Sequence, residues 1–445
     1  MKSRWLTAAA FGAATLMISA PARADVDPIV FWNQILTQNV TGSPVLTSRS
    51  YSMVEVAMFE AINSTTGNTH QSYLGLAPST GNSQAAIATA ARNVLLNVLP
   101  ANGTPARDAQ RAAIETQYQN SLAAIPSGQS KTDGISTGAA AASAVILVRT
   151  GDGSAAPAVP VYTPLNPAVD GHWQQTTAGA AGAPVTPWWG SVAPWGIDSG
   201  SQFRPGPPPD INDPSSGFAA ALAEVQAIGE MNSATRTAFQ TQSAQYWATG
   251  GNGLAPWINA AIGAADGMGL SSLEYAALFA ALTTNVADAT IGVFDAKYVY
   301  DFWRPTTAIH DADPSSTWTS LITAPSHPSY ISGHSGVGAA AADTIAFYLG
   351  ADTDVCFAGF TCFGSALEAA HNGADSRLWG GIHYRFDNEA GFELGHQVAR
   401  FNLAQGLFQA VPEPQSWLMM LMGFGLIGWT IRRQNSPIRK RLAAA

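Results

Sequence analysis

Three short motifs lie close together in one stretch of the chain: KYVYDFWRP at 297–305, SYISGHSG at 329–336 and SRLWGGIHYRFD at 376–387. Only 11% of the residues are charged, yet these motifs supply, among others, Lys297, Arg304, His334, Arg377 and His383. Arginine offers a planar pair of donors and lysine a point charge, a combination that suits an oxyanion. The three motifs therefore predict one anion-binding site.

The first motif places Lys297 and Arg304 seven residues apart. If one helix runs through both, they lie on the same face two turns apart, and Pro305 ends the helix. Taken alone, such a pair is more typical of a solvated helix surface. The other two motifs make it a candidate for anion binding.

The second motif sets Ser332, Gly333 and His334 just before an Ala-rich apolar segment, which predicts a helix from about Ser335 to Leu349. A serine and a glycine at a helix start let a hydroxyl and backbone N–H groups face an anion. His334 at this turn could act as a general acid or base. The alternative is a serine N-cap with an incidental histidine.

In the third motif, Gly380 and Gly381 predict a bend between Arg377 and His383, and Asp387 follows four residues after His383. On a helix, that spacing makes the carboxylate face the imidazole. A carboxylate bonded to one ring nitrogen raises the basicity of the other, which suits a nucleophile or a metal ligand. A purely structural His–Asp pair is the alternative.

The rest of the sequence indicates an all-α protein of 445 residues, with a hydrophobic content of 47% that is ample for a core. Apolar residues recur at helical spacing, and no series of alternating strands is visible. The predicted helical segments are 27–62 (two helices around Gly42), 83–99, 105–125, 131–149, 217–229, 233–246, 256–268 and 271–300.

These patterns predict an N-terminal helical bundle at 25–150, a connecting loop rich in Pro, Gly and Trp at 151–214, and a C-terminal helical bundle with the anion site at 215–410. A loop of this length is functional or a linker, and its tryptophans argue against a solvated linker. We expect it to wrap the helices and form one wall of the site. A structural strap without substrate contact is the alternative.

Both ends of the chain have the pattern of processing signals. Residues 1–24 combine a basic flank, an apolar run and a small-residue cleavage site, which predicts a secretory signal peptide. Residues 411–445 contain Pro-Glu-Pro, an apolar run at 417–431 and a basic tail. This layout resembles the PEP-CTERM sorting signal of Gram-negative bacteria. The resemblance implies a transient membrane tether, cleavage by an exosortase, and export to the periplasm, cell surface or extracellular matrix; a plain membrane anchor is the alternative.

Charge and cysteine content limit the remaining classes of function. Without residues 1–24 and 412–445, the chain has 13 basic and 29 acidic residues, a net charge of −16, which disfavours nucleic-acid binding. Cys356 and Cys362 are the only cysteines. In an exported protein they predict a disulfide, whereas a zinc site would need a second ligand pair.

Lys-x6-Arg-Pro, Ser-Gly-His and Ser-Arg-x5-His-x3-Asp, in this order, resemble the signature of the phosphatidic acid phosphatase type 2 and vanadium haloperoxidase superfamily. FWRPTTAI at 302–309, QFRP at 202–205 and SAQYW at 243–247 are similar to its soluble haloperoxidase branch. The resemblance covers roughly 27–410. It implies two packed helical bundles and a vanadate cofactor, whose site phosphate can also occupy. Ile331 replaces the proline that often precedes Ser-Gly-His.

The resemblance also implies a role for each site residue. Vanadate would be held by Lys297, Arg304, Ser332, Gly333 and Arg377, with His383 bound to the vanadium. The catalytic candidates are His334, His383 and Asp387, with His334 as the acid–base residue toward hydrogen peroxide. His327 falls where bromoperoxidases of the family carry a histidine near the halide.

Three functions remain open at the level of sequence. The first is a vanadate-dependent haloperoxidase that converts halide and hydrogen peroxide to a hypohalous species. The second is a secreted acid phosphatase acting on a phosphate ester, with His383 as nucleophile, His334 as acid and Asp387 orienting His383. The third is a non-catalytic surface or matrix protein. The complete set of charged site residues argues against the third function.

Overall fold

The computed structural model describes residues 26–165, 168–175, 183–249 and 253–411, together with Ile427. The predicted signal peptide lies outside these residues, as does all of the predicted sorting segment except Val411 and Ile427. Within the described ranges, helices are the main secondary structure and the strands form one short hairpin, so the predicted all-α class is confirmed. The division at residues 150 and 214 stays a prediction.

Four of the five helices described in the N-terminal half begin at a proline or a side-chain cap, and α5 begins after Gly128 without either. Asp27 accepts a hydrogen bond from the backbone N–H of Ile29 ahead of α1, and Asn82 caps α3 in the same way. These are the positions at which such residues satisfy otherwise unpaired N–H groups. The helices are α1 (Pro28–Asn39), α2 (Pro44–Thr65), α3 (Ser83–Val98), α4 (Pro105–Ala123) and α5 (Gln129–Val148).

The C-terminal half has eight further helices within the described ranges. They are α6 (Phe218–Gly229), α7 (Ala238–Ala248), α8 (Ala255–Ala265), α9 (Ser272–Tyr300), α10 (Pro305–Ala312), α11 (Gly333–Leu349), α12 (Ala366–Trp379) and α13 (Arg385–Ala404). The predicted helix start at Ser233 is wrong. Thr237 and Gln240 form a capping box that starts α7 at Ala238, while the Ser233 hydroxyl donates to the Ala227 carbonyl.

Helix α9 is the centre of the molecule. Ser271 and Glu274 form the capping box that the sequence predicts at its start, and the helix is buried along most of its length. It packs against α2 from the N-terminal half and against α11 and α13 from the C-terminal half. Among the described residues, α9 alone has the length and apolar composition of a membrane span, and here it is enclosed by protein.

The connecting loop is held against α9 by buried polar contacts. On α9, the Asp288 carboxylate accepts hydrogen bonds from the backbone N–H groups of Trp195 (2.7 Å) and Gly196 (2.8 Å). Two turns further, Asp295 pairs with the partly exposed Arg204 at 2.6 Å. Val185 lines a cavity that Lys297 and His383 also line. The described parts of the loop therefore act mainly as a strap on α9 and contribute one residue to the cavity wall.

Helices α11 and α13 cross at very close range because glycines face each other. A Cβ atom at Gly395 would overlap the carbonyl oxygen of Gly336, and one at Gly391 would overlap that of Ser332. The crossing brings the start of α11 next to the start of α13. The second and third sequence motifs meet at this point.

A short hairpin packs on the end of α7. Strands β1 (Val355–Cys356) and β2 (Cys362–Phe363) pair antiparallel, and Cys356 and Cys362 form a disulfide. From this hairpin, Phe360 stacks on Tyr246 with ring centroids 4.4 Å apart. Phe357 meets Trp247 edge-on at 5.0 Å. The hairpin therefore fixes the last turn of α7.

Candidate active site

Three cationic side chains are buried at one place in the C-terminal half. Lys297, Arg304 and Arg377 are each at most 2% exposed. Within the described residues none of them forms an ion pair with a carboxylate; Lys297, for example, donates only to the carbonyls of Pro328 and Ser329, both at 2.9 Å. Burying unpaired charge is costly, so the cluster has the electrostatics of an anion site.

Lys297 and Arg304 do not share one helix, so the condition for placing them on one helical face is not met. Helix α9 ends at Tyr300, and Asp301 takes the left-handed conformation with φ 51°, which aspartate tolerates better than most residues. Pro305 does not stop a helix but begins α10, the position where proline is favoured. Arg304 is therefore the N-cap residue of α10, and its side chain reaches the site from that position. Lys297 reaches the site from α9.

Arg304 holds two of the predicted histidines. Its Nη1 donates to the Ile382 carbonyl at 2.7 Å and lies 3.0 Å from Nε2 of His383. Its Nη2 lies 2.9 Å from Nδ1 of His327. Since a guanidinium can only donate, both ring nitrogens accept. His327 also lies against Phe294, with ring centroids 5.5 Å apart.

The N-terminus of α11 points into the same region. The helix begins at Gly333, two residues earlier than predicted, and Ser332 is its N-cap residue. Gly333 and His334 line the cavity, and N–H groups in the first helical turn have no partner within the helix. The backbone and dipole of α11 thus favour an anion at this point.

His383 and Asp387 form a buried pair, although His383 precedes α13 instead of lying on it. Asp387 Oδ2 accepts from His383 Nδ1 at 2.8 Å and from the Ser329 hydroxyl at 2.5 Å. The backbone N–H of Tyr384 also donates to it, at 3.1 Å. The hydrogen bond to Asp387 fixes the proton of His383 on Nδ1. The lone pair of Nε2 then faces Arg304.

Desolvation governs the protonation of these groups. Burial, with Arg377 nearby, lowers the pKa of His334 to about 3. Burial and then Arg304 hold the pKa of His383 well below its ordinary value. Burial raises the pKa of Asp387 to about 6. Near neutral pH both histidines are therefore neutral, able to accept a proton or to donate a lone pair.

Two backbone carbonyls of α7 complete the site. His334 Nε2 lies 2.9 Å from the Trp247 carbonyl, and Arg377 Nη2 donates to the Ala244 carbonyl at 3.0 Å. The sequence motifs did not predict a role for these carbonyls or for Ser329. A backbone carbonyl at a site cannot be predicted from residue type, because every residue has one. Ser329 is the first residue of the second motif, and that position is the only sequence feature that points to a role for it.

The predicted site residues surround one cavity of about 750 Å³. Lys297, His327, Gly333, His334, Arg377 and His383 line it. Arg304, Ser332 and Asp387 lie behind this lining. Asp387, for instance, contacts it by accepting a hydrogen bond from His383 Nδ1 at 2.8 Å. The disulfide of Cys356 and Cys362 lies on the hairpin, outside the lining.

The fold and the site together define an all-α protein with a pocket beside three buried cationic side chains. Residues 277–410 match the family model of the VCPO second helical-bundle domain, and this segment includes all three motifs. Residues 410–434 match the PEP-CTERM protein-sorting motif, which confirms the predicted sorting signal and indicates export to the cell envelope. No curated protein matches the chain in sequence.

Solved structures give the same fold. The structure of the first bacterial vanadium-dependent iodoperoxidase matches with a TM-score of 0.73 and 24% identity, covering 87% of this chain and 96% of that one. The apo form of a bacterial vanadium-dependent chloroperoxidase matches with a TM-score of 0.64 and 16% identity, covering 83% and 96%. A holo-type structure of a bacterial vanadium-dependent chloroperoxidase gives a TM-score of 0.60 and 17% identity, covering 82% and 93%. The fold is therefore that of the bacterial vanadium haloperoxidases.

Proposed function

We propose that this protein is an exported vanadate-dependent haloperoxidase, which uses hydrogen peroxide to oxidise a halide to a hypohalous species. The observation that carries the proposal is the cluster of Lys297, Arg304 and Arg377, buried without a paired carboxylate among the described residues. An anion that neutralises the cluster removes the cost of burying it. The matches to vanadium haloperoxidases support vanadate as that anion.

The donors around the cavity fit vanadate. Lys297, Arg304 and Arg377 would hold its oxygens, together with the Ser332 hydroxyl and the Gly333 N–H. His383 would bind the metal through Nε2, the nitrogen that the Asp387 contact leaves basic. When bound, vanadate would supply a Lewis-acidic centre that makes hydrogen peroxide a stronger oxidant toward halide.

His334 is the residue that would move protons. The Trp247 carbonyl fixes a proton on its Nε2, so Nδ1 is the basic nitrogen. With a pKa of about 3, lowered by burial and by Arg377, the ring is neutral near pH 7 and can take a proton from hydrogen peroxide. Binding of an anion beside Arg377 would weaken that cation's influence and make His334 a stronger base.

His327 would face the halide. It lines the cavity, its ring is held by Arg304, and it packs beside Phe294. Its pKa lies well below the ordinary value because of burial and then Lys297. His327 stands where bromoperoxidases of the family carry a histidine near the halide, so bromide and iodide are the proposed halides.

A secreted acid phosphatase is the second candidate, and one observation favours it. His383 presents Nε2 as an acceptor while Asp387 binds Nδ1–H, which is also the arrangement of a histidine nucleophile. His383 would then attack the phosphorus of a phosphate ester, and His334 would protonate the leaving group. Phosphate and vanadate share shape and charge, so the same cations would bind either.

The sorting motif supports a proposal for location. After export, the apolar run at 417–431 would tether the protein to the membrane until an exosortase removes it. The enzyme would then reside in the periplasm, on the cell surface or in the extracellular matrix. Hydrogen peroxide and halide would reach it there without entering the cytoplasm.

The two candidate functions are separated by one experiment. Protein purified without phosphate is given orthovanadate, and oxidation of bromide and iodide by hydrogen peroxide is measured beside hydrolysis of p-nitrophenyl phosphate. We expect vanadate-dependent halide oxidation. Ester hydrolysis that vanadate inhibits, with no halide oxidation, would assign the protein to the phosphatases instead.

A further inference from the structure

The chain leaves the described part of the protein at two places that are held by hydrogen bonds. Ahead of α1, the Asp27 carboxylate accepts a hydrogen bond from the hydroxyl of Ser272, the first residue of α9. At the other end, the Val411 backbone N–H donates to the Thr69 carbonyl at 2.9 Å, shortly after the end of α2. The direction of α2 along α9 decides whether these two places are neighbours.

Helix α2 runs antiparallel to α9. Near the start of α2, Ser48 lines the cavity together with Thr290 of α9. One turn later, the Ser52 hydroxyl donates to the Thr283 carbonyl at 2.8 Å, further back along α9. Because both helices rise equally per residue, Thr65 at the end of α2 lies level with the start of α9. Both exits of the chain are therefore at one end of the molecule.

The cavity lies toward the opposite end of α9. The α9 residues that line it run from Val286 to Lys297. They are about 21–37 Å from Ser272 along the helix axis, at a rise of 1.5 Å per residue. The end with both exits is called the terminal pole, and it comprises Asp27, Thr69, Ser272 and Val411. The terminal pole is thus remote from the proposed chemistry.

The proposed membrane segment follows closely on the terminal pole. Residues 410–434 match the PEP-CTERM motif, and the apolar run begins at Trp417, six residues after Val411. Six residues span at most about 20–22 Å when fully extended. This connection is shorter than the distance along α9 from Ser272 to the far end of the cavity. It therefore keeps the terminal pole nearest to the lipid.

Charge at the terminal pole does not favour adhesion to anionic lipid. The segments that meet there, 62–81, 262–274 and 404–416, contain no Lys or Arg, although they include Asp266 and Glu274. Basic clusters are what usually hold a protein surface on anionic headgroups. The apolar run would then be the main membrane contact, and its removal would free the protein.

From this placement we infer that the terminal pole faces the membrane and presents the sorting segment to the exosortase, while the cavity is held on the side away from the lipid. The inference rests on the proposed membrane tether and not on halide oxidation. Compounds that enter the cavity would then come from the aqueous phase and not from the bilayer. A hypohalous product would likewise leave at a distance from the lipid.

Energy transfer to the membrane surface tests this orientation. The full-length protein is reconstituted in phosphatidylcholine–phosphatidylglycerol vesicles whose headgroups carry an acceptor dye. A donor dye is attached at Met268→Cys, an exposed position just before α9, or at Val299→Cys, an exposed position in its last turn. Cys356 and Cys362 are paired and do not react with the dye. We expect at least twofold higher transfer efficiency from position 268, measured against vesicles without acceptor.

Val148→Cys provides an intermediate position for the same measurement. Val148 is exposed at the end of α5. The next residue, Arg149, lies over the ring of Trp195, whose backbone N–H donates to Asp288 near the middle of α9. A dye at position 148 should give a transfer efficiency between the other two. Such a gradient would also show that the protein does not lie on its side.

Equal transfer from all three positions, or the highest transfer from position 299, would overturn the inference and leave the tether in place. Protein that does not float with the vesicles in a density gradient would overturn both the tether and the inference. Neither result depends on whether the protein oxidises halide, which is measured separately.

Discussion

His334 and His383 have separate tasks in the proposed site, and substitution should separate them. His383→Ala removes the Nε2 lone pair, so we expect it to lose the rise in melting temperature that orthovanadate gives. His334→Ala should keep that rise but lower turnover by about 10²–10⁴-fold, the usual contribution of a general acid or base. Both are measured by thermal denaturation and by iodide oxidation.

A third histidine provides the control for this comparison. His396 pairs with Asp343 at 2.7 Å near the surface, an arrangement that resembles the pair of His383 and Asp387. His396→Ala should change neither the vanadate response nor turnover. Normal vanadate binding and normal turnover in both His334→Ala and His383→Ala would show that the roles are wrongly assigned.

Glu55 should make the stability of the protein depend on pH. It is fully buried in α2 beside Asn33, and burial raises its pKa from 4.5 to about 8. Between these values the native state keeps a proton that the unfolded chain loses. The free energy of unfolding therefore falls as pH rises through this window, by up to about 1.4 kcal/mol per pH unit.

Glu55→Gln keeps the acceptor oxygen for Asn33 and cannot ionise, so its stability should depend less on pH over this range. Urea denaturation at pH 5, 6.5 and 8 measures the effect. Glu393→Gln, at an exposed position on α13, should retain the pH dependence of the wild type. Parallel curves for all three proteins would contradict the assignment to Glu55.

At the scale of elements, the crossing of α11 and α13 depends on glycine. Gly395→Ala would put a Cβ against the Gly336 carbonyl and push the two helices apart. Adding a carbon to a closely packed contact typically lowers the free energy of unfolding by about 1–3 kcal/mol. Since α11 and α13 carry the second and third motifs, we also expect weaker vanadate binding. Chemical denaturation and the vanadate-induced melting shift measure the two effects.

Gly263→Ala is the matched control, because a Cβ at this position in α8 meets nothing within 4 Å. It should leave vanadate binding unchanged and stabilise the helix by roughly 0.5–1 kcal/mol. Equal stability of the two alanine variants would show that the glycine contact is not needed for the crossing.

The positions of elements were predictable where a residue type has one dominant backbone preference. Pro105 and the Ser271 capping box mark observed helix starts. Pro305 suits either the residue after a helix or the first residue of one, so the motif alone could not locate Arg304. The three motifs, taken in their order along the chain, nevertheless indicated which residues meet at one cavity. The carbonyls of Ala244 and Trp247 could not be predicted, because every residue has one.

At the scale of the whole molecule, an acidic chain encloses a cationic site. Burying three cationic groups costs folding free energy until an anion binds, so ligand binding should stabilise the protein by mass action, by about 2.7 kcal/mol at 100 times Kd. Lys297→Met removes one charge at similar length. It should unfold at a higher temperature than the wild type without an anion, and gain less from orthovanadate.

Lys131→Met tests whether the effect belongs to the site. Lys131 also donates to carbonyls, those of Leu122 and Ile125, but it is only half-buried and lies in the N-terminal half. This variant should respond to orthovanadate as the wild type does. An unchanged vanadate response in Lys297→Met would contradict the proposed anion site.

The disulfide hairpin links the redox state of the compartment to the assembly of the site. Phe357 and Phe360 brace Trp247 and Tyr246 on α7, and the Trp247 carbonyl orients His334. In the reducing cytoplasm Cys356 and Cys362 would be thiols. The hairpin that packs against α7 would then lack its disulfide bond. If the protein is the proposed haloperoxidase, it would gain full activity only after export, and the cell that makes it would be spared the hypohalous oxidant.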